Sequence, residues 1–292
     1  MKKTITLITA ALIMPVAACS GSSVDHSSSS VDHSSSSVDH SSSSANNIAV
    51  SEQSAPAPAP APIAVDQADA SYANFLKTYI SEKDGINFVA YGDVTPAHHA
   101  ELKAYITSLE QQGPAGMSDG EMKAYWFNVY NAKTIDIILD NYPLKSIRSL
   151  GALNRGPWDK KVLNVKGVGA MSLNDVEHGT LRKMYKEPRI HYAVNCASYG
   201  CPNLKSTIWK ASTLEADLTE AAVAYINHPR GVRVENGKVI ASKIFDWYKV
   251  DFGNSEAGML KHFRQYAKGD LARQIGSATD ISKFEYNWDL NE

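Results

Sequence analysis

The chain of 292 residues carries a formal net charge of −2, with 21% charged and 43% hydrophobic residues, enough apolar material for a sizeable core. Its charges are interspersed, which argues against the basic stripe of a nucleic-acid binder and against a basic amphipathic face for a second membrane contact. The sequence has no Gly-rich phosphate loop and no dinucleotide fingerprint, and it implies no cofactor.

Lys2 and Lys3 precede an apolar run from Ile5 to Val16, too short to span a bilayer, and Ala17 and Ala18 lead into Cys19. Residues 1–18 therefore read as a secretory signal. Val16-Ala17-Ala18-Cys19 resembles the bacterial lipobox, which implies cleavage before Cys19 and acylation of that cysteine on its sulfur and on its new amino group. Several acyl chains suffice for stable anchoring. Because Ser20 rather than an aspartate follows, the resemblance implies an outer-membrane lipoprotein facing the periplasm, with the membrane as a partner through the lipid on Cys19.

Residues 19–65 read as a disordered tether. Val24-Asp25-His26, Val31-Asp32-His33 and Val38-Asp39-His40 are each followed by four serines, and Ala55 to Pro62 alternates alanine with proline. One valine per seven residues makes no coiled-coil seam. A flexible serine chain joined to a stiff Ala-Pro run holds the domain away from its lipid at about 3 Å per residue in the proline part. His26, His33 and His40 are metal-capable residues, but on an unfolded chain they read as solvated linker.

One globular domain is expected over 66–292, because no second Pro- or Ser-rich break divides it. Asp66 to Lys83 has Tyr72, Phe75, Leu76, Tyr79 and Ile80 at helical spacing, with Asp84-Gly85 as its stop. Thr95 to Gln112 predicts a second helix. Ser118 and Glu121 make a capping box for a third, whose apolar face is Met122, Tyr125, Trp126, Val129 and Ala132. Asn128 and Asn131 share one side of that aromatic helix, suited either to holding a neighbouring loop backbone or to a direct catalytic role. Trp158 to Val168 reads as a hairpin or covering loop. Ser172 caps a helix to about Tyr185 that carries Asp175, Glu177, His178 and Arg182, with Asp175 and Arg182 two turns apart as a supporting polar pair.

Ile190 to Val194 alternates and predicts a short strand, and Ala197 to Pro202 predicts a turn. Beyond it follow a helix over Thr213 to His228, a hairpin turning at Asn236-Gly237, a packed aromatic segment from Lys243 to Phe252, a helix over Gly258 to Tyr266 and a late strand within Ile281 to Trp288. Helices and short strands without a regular β-α-β rhythm predict an α+β fold, a helix-rich domain with a small sheet.

Ala124 to Asn131, Ser172 to Arg182, Arg189 to Pro202 and Lys243 to Phe252 occur in the order and wording of the bacterial family called domain of unknown function 547, and this resemblance covers about 120–253. It implies a shared domain and points to these four segments, with no established reaction.

Arg189 to Pro202 concentrates the two cysteines of the domain, Cys196 and Cys201, beside His191. Three readings stay open. A disulfide is the default in an oxidising compartment, stabilising by about 2 kcal/mol for so small a ring. A metal site would need both cysteines with His178 and His191, and the ligand spacing argues against it. Thiol chemistry would use Cys196 as nucleophile, His178 or His191 as base, and Asn128, Asn131 or Glu177 as orienter. On a continuous strand His191 and Cys196 would face opposite sides. The function expected is therefore a cysteine-dependent hydrolase or acyl transferase acting on peptide-like bonds of the cell envelope. The alternative is a non-enzymatic envelope module that grips a peptide or protein partner and carries a structural Cys196–Cys201 disulfide.

Overall fold

The long helix predicted after Ser118 is the axis of the domain. A computed structural model describes residues 65–292, so the signal sequence, Cys19 and the tether lie outside the described residues. Its elements are, in order, α1 (Val65–Tyr79), β1 (Ile80–Lys83), β2 (Ile86–Val89), α2 (Pro96–Gln112), α3 (Asp119–Asp140), β3 (Leu163–Val165), β4 (Gly169–Met171), a π-helical segment (Asp175–Leu181) running into α4 (Arg182–Met184), α5 (Ile190–Ala193), α6 (Leu214–Asn227), β5 (Val232–Glu235), β6 (Lys238–Ser242), α7 (Lys243–Trp247), α8 (Glu256–Tyr266), α9 (Gly269–Ile275) and β7 (Lys283–Glu285). The fold is α+β, as the sequence pattern predicted.

Local chemistry starts each helix. The Ser118 hydroxyl accepts the Glu121 N–H, and the Glu121 carboxylate accepts the Ser118 N–H at 2.9 Å, closing the capping box at the head of α3. Thr95 accepts the His98 N–H at 3.2 Å, and Pro96 occupies the first position of α2, where its missing N–H costs nothing. Every residue from Ala124 to Ala132 is buried, so this stretch of α3 is covered on all sides and sits inside rather than on one face.

The first stretch departs from the sequence reading. The helix expected to run to Lys83 ends at Tyr79, and Ile80–Lys83 pairs antiparallel with Ile86–Val89. Asp84 and Gly85 both have positive φ, 53° and 78°. An Asp-Gly pair that looks like a helix stop is here a two-residue hairpin turn. The Asn236-Gly237 hairpin forms where expected, β5 to β6, and β7 adds in parallel to β6.

The described residues fall within one compact unit that holds two apolar clusters. The larger joins α1, α2 and α3 to the π-helical segment and to Ile190, Ala193 and Val194. The smaller joins α6, β5, β6, α7, α8 and α9 around Phe245, Phe252 and Phe263. Tyr192 lies in the second cluster while its neighbours Ile190 and Ala193 lie in the first, so the segment leading to the cysteines runs along the seam between the cores.

That segment is the second departure. Ile190–Ala193 is a turn of helix, not a strand. Pro188 and Glu187 supply the carbonyls that receive the His191 and Ile190 N–H groups, and among the described residues no strand pairs with the segment. Alternation of Ile, Tyr and Val was produced by burial on two sides rather than by a pleat. The third departure is at Asp175–Leu181, where the expected α-helix is π-wound and the Arg182 N–H reaches the Glu177 carbonyl five residues back.

Candidate active site

Asn131 determines where the cysteine turn begins. Its Nδ2 donates to the Ala193 carbonyl and its Oδ1 accepts the Asn195 N–H, both at 2.8 Å. Asn128 does the same to Trp209, donating to its carbonyl at 2.9 Å and accepting its N–H at 3.0 Å. Both amides hold neighbouring backbone, and neither lines the cavity described below. Asn195 closes the turn, accepting the Ala197 N–H at 2.8 Å and donating to the Pro202 carbonyl at 2.7 Å. Ala197 is thereby held at φ 56°, a left-handed conformation costing about 1–2 kcal/mol for a residue with a Cβ.

The C-terminal segment clamps this turn from outside. Tyr199 donates its N–H to Asp289 at 2.7 Å, and Gly200 donates to Asn287 at 2.9 Å. A Cβ at Gly200 would lie 2.8 Å from the Asn287 carbonyl oxygen and 2.9 Å from the Tyr286 ring, so only glycine admits this approach.

Cys196 is half-buried, Cys201 is buried, and both are free thiols. Cys201 Sγ accepts the Cys196 N–H at 3.0 Å. Cys196 Sγ lies 3.2 Å from both the Ser198 hydroxyl and the Tyr286 hydroxyl, which are themselves 2.7 Å apart. Burial pushes the Cys201 thiol up, but hydrogen bonds from the Cys196 thiol, the Tyr286 hydroxyl and the Cys196 N–H outweigh it and bring the pKa down to about 7. Hydrogen bonding to Cys201, burial and the Cys201 charge push Cys196 the other way, well above an ordinary thiol. One negative charge is thus favoured at the pair, and the Cys196 N–H donated to Cys201 Sγ favours it on Cys201.

A chain of charged groups faces the thiols. Glu177 is 5% exposed and accepts the Tyr130 hydroxyl at 3.2 Å. His191, 2% exposed, puts Nδ1 at 3.6 Å from Glu177 Oε1 and Nε2 at 2.8 Å from Asp251 Oδ2. The shorter contact is a hydrogen bond and the longer is not, so Nδ1 is left without a hydrogen-bond partner. A carboxylate only accepts, which makes Nε2 the protonated nitrogen. Tyr248 stacks on the imidazole with centroids 4.1 Å apart. Asp251 also accepts from Arg182 Nε at 2.6 Å, and Arg182 Nη1 reaches His178 Nδ1 at 3.0 Å. Burial raises the Asp251 carboxyl, but the His191 and Arg182 hydrogen bonds hold it far below the usual carboxylate range. Burial likewise raises Glu177, and the facing His191 brings it below its ordinary value.

Tyr130, Glu177, His191, Cys196, Cys201 and Tyr248 line one cavity of about 190 Å³, together with the aromatic side chains of Trp158, Trp247, Tyr286 and Trp288. Of the two histidines proposed as base, His191 reaches this cavity, while His178 is held by Arg182 outside its lining. The objection from strand phase falls away, because α5 ends at Ala193 and the chain turns before Cys196. Asp175 and Arg182 do not pair. Asp175 caps its own helix through Ser172, its carboxylate accepting the Ser172 N–H at 2.6 Å, and meets Lys161 at 2.5 Å; π-winding rotates Arg182 toward Asp251 instead.

The sequence reading missed Asp251, Tyr130, Tyr248 and Tyr286 as site residues. Tyr248 and Asp251 sit in the aromatic segment that the family resemblance singled out, but nothing in their spacing ties them to His191, which precedes Asp251 by sixty positions. Among the described residues, one group of acid and imidazole side chains converges closely enough to share an ion, His99, Asp136 and Asp140. Lys103 Nζ lies 2.6 Å from Asp136 and 2.8 Å from Asp140, and Lys133 Nζ lies 2.8 Å from Asp136, so two ammonium groups already pair with the two carboxylates.

Residues 114–226 match the family described as protein of unknown function, DUF547. The match spans α3, the π-helical segment and the cysteine turn, and stops before Asp251 and Tyr286. No curated protein and no solved structure matches the chain.

Proposed function

We propose that the protein is a cysteine-dependent hydrolase or acyl transferase acting on peptide-like bonds, with Cys201 as the thiolate, His191 as its base and Asp251 as the group that positions the imidazole. The observation that carries this reading is one small cavity holding two adjacent thiols, of which Cys201 accepts the Cys196 N–H, together with a histidine whose Nε2 is tied to a carboxylate and whose Nδ1 has no hydrogen-bond partner. The sequence reading placed the nucleophile at Cys196. Its N–H, which points at Cys201 Sγ, makes it the supporting residue.

In this scheme the Cys201 proton passes to His191 Nδ1, and the sulfur attacks the acyl carbon. The C–N bond breaks as the leaving amine takes the Nδ1 proton. Water, or an acceptor amine or hydroxyl, then gives its proton to Nδ1 and displaces the sulfur, restoring the thiolate. Glu177, facing Nδ1, stabilises the imidazolium each time it forms.

Alkylation by iodoacetamide tests the assignment. Its rate is expected to rise with pH to a half-maximal value near pH 7, against about 8.5 for an unperturbed thiol. Cys201→Ser should abolish this phase, and Cys196→Ala should move its midpoint upward by removing the S–H donor. His191→Ala should slow acylation by p-nitrophenyl acetate by about 10²-fold. If Cys201→Ser leaves the pH 7 phase intact, the nucleophile is misassigned. If no free thiol is found under non-reducing conditions, the non-enzymatic envelope module takes its place.

We also propose that Cys19 carries lipid and holds the domain on the periplasmic face of the outer membrane, in reach of envelope peptides. The lipobox-like Val16-Ala17-Ala18-Cys19 supports this. Cys19→Ala should move the protein from the membrane to the soluble fraction or stall its processing. Membrane retention of correctly processed Cys19→Ala protein would refute the anchor.

A further inference from the structure

A second cleft of about 460 Å³ adjoins the cavity and shares part of its lining, Tyr286 included. Trp158, Trp247 and Trp288 belong to both, and the cleft is rimmed by Arg148, Arg155 and Lys243. Trp247 is 44% exposed, a large apolar side chain standing at the surface beside two other indoles. None of the three rim cations forms a salt bridge among the described residues. Arg148 donates Nε to the Asn154 carbonyl at 2.7 Å and lies over Trp288 at 5.1 Å, which aims its guanidinium along the aromatic floor. Lys243 and Trp247 are four apart on α7 and so rise on one side of it. No acidic residue lines the cleft.

We infer that this cleft binds an acidic saccharide, its ring face laid on the tryptophans and its carboxylates on the rim cations. The geometry favours sugar over the other flat or anionic ligands. The indoles are tilted to one another, 61° between Trp158 and Trp288 and 32° between Trp247 and Trp288. They form a bent platform for puckered rings and not the parallel slot that clamps a planar base. None of the lining residues belongs to a strand, so an extended peptide would find no sheet edge to add to. Unpaired cations beside the platform select an anionic sugar over a neutral one, with the arginines offering forked contacts to carboxylate. Placing the bond to be cleaved beside the thiols rests on the proposed acyl chemistry. Binding at the rim does not.

The test is a titration of tetragalacturonic acid followed by tryptophan fluorescence and calorimetry, with maltotetraose and hexaglutamate as comparison ligands. Saturable binding of the uronide is expected, weakened roughly tenfold or more by Trp247→Ala and by Arg155→Glu with Lys243→Glu, and weakened by added salt. The Cys196→Ser, Cys201→Ser double variant should bind as the wild type does. Absence of saturable uronide binding, equal affinity for maltotetraose, tighter binding of hexaglutamate, or affinity unmoved by the charge reversals would each overturn the inference. Because the double-cysteine variant carries no thiol chemistry, a failure of binding and a failure of acylation are read separately.

Discussion

Asp251→Asn is expected to lower the rate of acylation by p-nitrophenyl acetate by about 10²–10⁴-fold, the range a positioned general base contributes. In the native site the carboxylate accepts the Nε2 proton of His191 at 2.8 Å, which leaves Nδ1 unprotonated on the side of Glu177. An amide in the same place can donate to Nε2 instead, and the ring proton then moves to Nδ1, the atom that has to receive the thiol proton. Acid titration of the fold separates this role from a merely structural one. Glu177 and Asp251 both have lower pKa values folded than unfolded. Their stabilisation is therefore whole above the unfolded value near pH 4 and is lost as pH falls below it. Asp251→Asn should make that acid limb shallower while leaving stability near pH 7 sufficient for folding. Unchanged acylation with a changed acid limb would leave Asp251 a structural residue only.

Asn131→Leu is expected to lower stability by about 2–5 kcal/mol in urea unfolding, because it leaves the Ala193 carbonyl and the Asn195 N–H buried without partners. The side chain is close in volume, so little of the loss is cavity. Asn128→Leu removes an equivalent pair of bonds at Trp209 and should cost a similar amount. The two variants differ at the thiols. Releasing Asn195 loosens the turn that points the Cys196 N–H at Cys201, so Asn131→Leu should raise the alkylation midpoint above pH 7, whereas Asn128→Leu should leave it in place. A loss below about 1 kcal/mol for Asn131→Leu would mean that water or a shifted backbone satisfies both groups.

The helices and their caps are legible in the sequence because they are local. Ser118 with Glu121, Ser172 with Asp175, and the Asn236-Gly237 turn each involve residues a few positions apart, and each forms as expected. The α+β class follows from the same local periods. Errors came where one local signal fits two outcomes. Asp84-Gly85 ends a helix or turns a hairpin, and an apolar run such as Ile190–Val194 is buried on two sides in a strand or in a helical turn between two cores.

The chain by itself determined the candidate chemistry: two cysteines beside a histidine, preceded by a helix bearing Glu177, His178 and Arg182, and an asparagine pair suited to holding backbone. Tertiary structure alone decided which of these meet. Winding Asp175–Leu181 as a π-helix turned Glu177 inward and sent Arg182 to Asp251, a partner sixty-nine residues away. Helical α5 brought His191 onto the cavity wall, and the returning C-terminal segment carried the Tyr286 hydroxyl to 3.2 Å from Cys196. These are long-range meetings set by burial and by the fit of two cores, and no spacing along the chain encodes them.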